Sequence, residues 1–328
     1  MLETTGDIPV NIVFVFDGEE ELGSMNLCGP FRQQYLEELR QCDVGYYLNP
    51  SQNVRGDCLI YLGNRGICFM EMNVKGGAWG GPSKPLFAMH DLWVDSPMWT
   101  LVQALASLRA PDGTALLDGF YDDVAPLSEE SKKLIDILAE NLDEAEMHRE
   151  LGVQRFKGGK RPKELYWKVV SQPTINMDGI VGGYTGPGVK TMFPDRAKVK
   201  MDIRIVPNQD IHDILKKLRA HLDKRGFQHV EINPQGVYNP TRTSPDEPIV
   251  RAAVKAVESF GVRPLLWPCY YAGIPMAIFG DPPLNKPTLG CGLGRMGREH
   301  IANEYFTVEG LRSYEKFLVA FFNDFAAR

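Results

Sequence analysis

The sequence has no run of about 18 apolar residues, so nothing in it reads as a membrane-spanning helix. It also lacks a basic excess. Lys and Arg number 36 against 42 Asp and Glu, which leaves a net charge of -6. Without a basic stripe there is no footprint for neutralising phosphates, and no nucleic-acid partner is expected. Cysteine is sparse: Cys28, Cys42, Cys58, Cys68, Cys269 and Cys291 lie apart, with no CxxC pair. That argues against zinc held by four thiolates and fits reduced thiols in a cytoplasmic protein. Residues 1–7 show no basic stretch followed by an apolar one, so no secretory signal is expected there. Internal repeats and low-complexity tracts are absent too.

What is present is enough chain for two domains: 328 residues, 44% of them hydrophobic. Val10–Phe16 is a short, nearly continuous apolar run and predicts a buried strand. A helix is expected over 23–41, with strands near Val44–Leu48 and Leu59–Leu62, an α/β alternation. The character changes after Arg65-Gly66. Ile67–Val74 alternates as a half-exposed strand, Gly76–Gly81 is Gly-rich, and Leu86–Leu108 has helical spacing. The stretch 126–165 is polar and predicts a helical excursion on the surface. Ala197–Val206 places Val199, Met201, Ile203 and Ile205 on one face, and Ile211–Arg225 predicts a helix capped by Gly226. His229–Ile232 reads as a strand. Beyond it come a helix over Glu247–Phe260, short strands at Met276–Phe279 and Pro287–Leu289, and a closing helix over Thr307–Phe325.

The strongest chemical signal is Asp17-Gly18-Glu19-Glu20-Glu21-Leu22-Gly23-Ser24. Adjacent carboxylates at a strand's end repel one another, which costs stability unless a cation or a proton-transfer task uses them. The C-terminal ends of strands are also where open α/β sheets place ligands. Read without its neighbours, an acidic triplet is as well a solvated turn.

This segment resembles the EGEEExGS motif of the M20 family of zinc-dependent peptidases and amidohydrolases. Further ordered matches cover nearly the whole chain: Asn64-Arg65-Gly66, the GGAWGG stretch ending at Gly81, Gly119–Val124, Pro173–Ile180, Gly188–Pro194, Asp202–Pro207 and Glu299–Glu304. The resemblance implies an α/β zinc-exopeptidase-like catalytic domain, here partial, over 1–66 and 237–328. An inserted α+β lid or dimerisation domain spans 67–236. It implies two Zn2+ per site, a dipeptide or other small carboxylate-bearing substrate, and a homodimer formed through the lid. Glu20 matches the general base, Glu21 a metal ligand, and His300 a further ligand; Thr191 and Arg204 match lid residues that contact substrate. The other five histidines match no motif and read as structural.

The match has departures. Asn49 stands at the position of a metal-binding Asp, Lys75 at that of a lid His, and Gly273 at that of a Ser. The HxD motif and the bridging Asp have no counterpart in the chain, so a separate N-terminal segment is expected to supply them. The reaction implied is hydrolysis of an amide or peptide bond. The alternative is a non-catalytic M20-like dimeric binding protein or a gene remnant.

Overall fold

The computed structural model describes residues 6–298 and 302–327. In chain order its longer elements are β1 (Gly45–Leu48), β2 (Cys58–Tyr61), β3 (Gly63–Lys75), α1 (Pro97–Leu108), α2 (Glu129–Glu140), α3 (Glu144–Leu151), α4 (Pro162–Ser171), β4 (Thr174–Gly182), β5 (Arg196–Ile205), α5 (Ile211–Lys224), β6 (Glu231–Tyr238), α6 (Pro248–Ser259), β7 (Pro264–Trp267), β8 (Tyr270–Gly273), β9 (Thr288–Cys291) and α7 (Val308–Ala326).

Two sheets organise them. The smaller runs β1-β9-β2-β7, parallel except between β9 and β2. Its strands are apolar on both faces, as a doubly covered sheet requires. Ile60, Leu62 and Leu289 pack against Val250, Val257, Phe317 and Phe321 of α6 and α7. On the other face Tyr61, Leu265 and Trp267 meet Ile135 and Leu138 of α2 and Tyr166 and Val170 of α4. The stretch expected as a surface excursion therefore supplies one cover of this sheet. Its polar residues mark only the outer sides of helices that bury an apolar stripe.

The larger, six-stranded sheet centres on β3, which pairs antiparallel with β5 and β6 along most of its length. β4 lies outside β5. The alternation read from the sequence holds in β5. Val199, Met201, Ile203 and Ile205 are buried against Leu101, Ala104 and Leu108 of α1 and Ile214, Leu218 and Leu222 of α5. Lys198, Lys200, Asp202 and Arg204 take the opposite face. The first residues of β3 pair with β8 and with Thr241–Arg242. One strand thus joins both parts of the fold, and residue 66 falls inside it.

Three expectations fail. Val10–Phe16 forms no strand, and Val13, Phe14 and Phe16 are exposed. Val10 touches the core beneath α6 and α7, and Val15 touches a small cluster around Leu27 and Leu39. A strand exists through its neighbours' hydrogen bonds, and no described strand pairs with this run. The helix expected from Leu86 begins only at Pro97, where Ser96 Oγ accepts from the Trp99 amide (3.3 Å) and Pro97 occupies the first turn. Met276–Phe279 is helical rather than extended: a short turn over Ala277–Gly280 follows Pro275.

Candidate active site

The acidic motif forms a tight turn. Glu20–Leu22 make one 3-10 turn, closed by Gly23 in the left-handed region at φ 95°. The Leu22 amide donates to Glu19 O, Gly23 to Glu20 O, and Ser24 to Glu19 O, all at 2.9–3.0 Å. Asp17 Oδ1 accepts from the Glu19 amide (2.8 Å), and Glu19 Oε2 accepts from Asn26 Nδ2 (2.6 Å). Two of the motif's carboxylates are thereby spent on holding the turn.

This turn is seated on the larger sheet. A Cβ on Gly23 would come 3.1 Å from Phe69 Cδ2, and a Cβ on Gly236 would come 2.6 Å from Gly23 O. Only two glycines permit that approach of turn to strand. The contact falls at the bulge where β3 and β6 slip register between Phe69 and Met70. Bulges re-aim strands in this way and recur beside functional sites.

Around the turn the structure gathers Glu20, Glu21, Tyr47, Tyr238 and Arg204. Burial pushes the Tyr47 phenol up to about 12, and the carboxylates of Glu20, Glu21 and Asp17 add to that. Burial also drives Tyr238 far up; Glu20 reinforces the shift and Arg204 opposes it. The buried Tyr238 phenol thus feels both the negative turn and the Arg204 cation. Asn49 directly follows β1, two residues beyond Tyr47, and its backbone is bonded to the Tyr314 hydroxyl. Sequence reasoning missed Tyr47 and Tyr238. Tyr47 was signalled by its place on the strand leading to Asn49. Tyr238 had no such signal, because only the docking of the turn puts it beside Glu20.

Lys75 and Thr191 lie elsewhere. Arg204 stands opposite Ile67 and Lys75 opposite Arg196. Eight residues of strand separate the two ends, about 27 Å at 3.4 Å per residue. Lys75 lines an open cleft of about 460 Å³ together with Glu71, Met192, Arg196 and Lys198. Thr191 precedes Met192, and its carbonyl accepts from the Ala88 amide (3.2 Å). Within one chain these two residues do not share a site with Glu20. Two of the non-motif histidines are packed within the fold. His221 is buried beside Ser107, and His229 stacks on Trp79 with ring centroids 4.0 Å apart.

Asp17 Oδ2 is buried without a hydrogen-bond partner, an oxygen that a cation would satisfy. His300 lies outside the described residues. Among the described residues no three His, Cys, Asp or Glu side chains converge as metal donors. Those residues do not by themselves fit a two-zinc centre, which needs three or four donors on each ion.

Residues 93–230 match the family model of a peptidase dimerisation domain. The human Beta-Ala-His dipeptidase is 30% identical over 227 residues, 66% of this chain and 41% of that protein. The Cys-Gly metallodipeptidase of Schizosaccharomyces pombe is 27% identical over 224 residues, 66% of this chain and 44% of that one. The chain spans about half the length of the curated relatives it matches. Among solved structures, an M20 family metallo-carboxypeptidase from Sulfolobus solfataricus superposes with a TM-score of 0.85 at 28% identity, over 95% of this chain and 70% of that one. Human carnosine dipeptidase 1 gives 0.78 at 26%, over 98% and 68%. With the docked acidic turn, the two-sheet architecture and these likenesses together, the chain belongs to the M20 peptidase family.

Proposed function

We propose that this chain acts in a metal-dependent hydrolase of dipeptide type, cleaving an amide or peptide bond in small substrates that bear a carboxylate. The observation that carries the reading is the seating of the acidic turn on the lid sheet. It brings Glu20 within electrostatic reach of Tyr238, which Arg204 reaches as well. Glu20 is half-buried and takes the role of general base: it removes a proton from the attacking water and returns it to the leaving nitrogen. Arg204 grips the substrate's carboxylate through its planar fork. The metal we propose is zinc, with Glu21, Asn49 and His300 as this chain's ligands. The names of the relatives speak for a metal but not for which one. The described donors alone fall short of a closed metal centre.

The partner proposed is a second copy of the chain. β4 ends the larger sheet and exposes Met177, Ile180 and Val181, and α1 beside it exposes Trp99. A partner seated there would give Lys75 and Thr191, remote from this chain's own Glu20, a site to serve. We propose the catalytic and lid division at 1–66 with 237–328, and 67–236. The non-catalytic reading has one observation in its favour, the missing convergence of metal donors among the described residues.

The test is hydrolysis of a dipeptide panel with and without added Zn2+, for the wild type and Glu20→Gln. We expect Glu20→Gln to lower the rate by about 10²–10⁴-fold with zinc affinity kept. A fully active variant overturns the role of Glu20. Inactivity of the wild type with every substrate favours the binding-protein reading.

A further inference from the structure

Arg204 is held by a buried acid. Its Nε donates to Asp202 Oδ1 at 2.8 Å, and Asn176 Nδ2 donates to the same oxygen at 3.0 Å. Asn176 sits directly opposite Asp202 in the register of β4 and β5, and Thr174 sits opposite Arg204. The Asp202 side chain is 6% exposed and that of Arg204 29%. The anchor is therefore buried, while the arginine side chain stays partly exposed on the sheet face that also carries Phe69, against which the acidic turn docks. A guanidinium has five N–H donors. With Nε committed to Asp202, the two Nη groups remain as a planar fork, the geometry that matches a carboxylate.

An acid beside an anion-binding arginine at first sight works against it, since Asp202 cancels the charge the ligand needs. The surrounding groups compensate. Arg65, a buried cation on β3, lies within electrostatic reach of both Arg204 and Asp202. The Asp178 carboxyl on β4 is hydrogen-bonded to Asp202, and desolvation, then Asp202, holds it above the ordinary carboxylate range. Two arginines, Arg65 and Arg204, lie within reach of the Asp202 carboxylate. Asp202 thus offsets the buried charge of Arg65, and its hydrogen bond to Nε fixes the orientation of Arg204.

We propose that Asp202 is a positioning residue: it fixes Arg204 through Nε so that the Nη pair selects ligands with a free terminal carboxylate over ligands with a neutral end. This rests on the reading of Arg204 as the carboxylate clamp.

The experiment compares binding of glycylglycine and of its C-terminal amide to the intact chain by calorimetry, for the wild type, Asp202→Ala, Asp202→Asn and Arg204→Lys. The readout is the ratio of the two affinities, which a merely structural loss would leave unchanged because both ligands would weaken together. We expect the wild type to favour the acid by about tenfold, the worth of one charge-assisted hydrogen bond. Asp202→Ala should bring the ratio close to one. Asp202→Asn, whose amide oxygen still accepts from Nε, should keep most of it and stands in if the alanine variant fails to fold. A ratio unchanged in Asp202→Ala but lost in Arg204→Lys overturns the positioning role and leaves the clamp standing. A wild type that does not discriminate, or binds neither ligand, overturns the clamp and with it this proposal.

Discussion

Gly236→Ala tests the contact on which the candidate site depends. Gly236 has no left-handed φ, so its backbone accepts alanine without torsional strain. The new Cβ, however, would lie 2.6 Å from Gly23 O and 3.2 Å from Gly23 Cα. Both are backbone atoms, which cannot swing aside as the end of a side chain would. Ordinary contact requires about 3.4 Å or more, so the turn must retreat by about 0.8 Å or the strand must bend. Overpacking of this kind costs about 1–3 kcal/mol. A misplacement near 1 Å at a catalytic group costs up to about 10²-fold in rate. We expect dipeptide hydrolysis to fall by about 10- to 100-fold. Hydrogen exchange at the Leu22, Gly23 and Ser24 amides should quicken by at least about tenfold, while helix α5 stays protected. The exchange measurement reads the docking of the turn whether or not a substrate is known. Gly226→Ala is the control: φ is +84° with open space around it, so it loses about 1 kcal/mol to left-handed strain and leaves the turn untouched. Unchanged exchange at the turn in Gly236→Ala would refute the reasoning that the sheet positions Glu20.

Two further outcomes follow from the same geometry. Asn49→Asp replaces a neutral amide oxygen with a carboxylate at the end of β1, and should raise zinc retained after dialysis by about tenfold or more, read by elemental analysis. An unchanged zinc content would remove Asn49 from the proposed ligand set. Asp281 sits where burial raises its carboxyl to about 6, with Arg32 pulling it back. The folded pKa lies above the unfolded value, so the folded state holds this proton more tightly. Its contribution to stability is therefore greatest below about pH 4 and is lost as pH rises through about 6. The cost of the ionised form is at most about 3 kcal/mol. Asp281→Asn should flatten the fall in urea resistance between pH 4 and 6, and an identical pH dependence in the variant would sink this account.

Much of the fold was legible because periodicity is a local property. The four inward residues of β5 and the capped amphipathic stripe of α5 follow from spacing, and the structure buries them as spaced. The acidic motif was legible as a chemical signal, but its closure by Gly23 in the left-handed region came only with the structure. Legibility failed where structure depends on distant partners. Val10–Phe16 has the composition of a strand but no described neighbour to pair with. The polar stretch 126–165 concealed Ile135, Leu138 and Tyr166, whose burial needs the far side of another sheet. Asp202 fell at a variable place within a recognised motif, so its bond to Arg204 could not be read from the string.

The sequence by itself determined the family motifs, the identity of the general-base candidate Glu20 and of the carboxylate-binding candidate Arg204, and the face each strand residue would take. Those are fixed by side-chain chemistry and by the two- and 3.6-residue periods of the backbone. Tertiary structure alone decided that Glu20 and Arg204 both act on Tyr238 while Lys75 sits about 27 Å along the same sheet from the position of Arg204. The reason is that β3 is one long rigid strand. Distance along it is set by register with β5 and β6, and the site is chosen by where two glycines let the acidic turn come down on it.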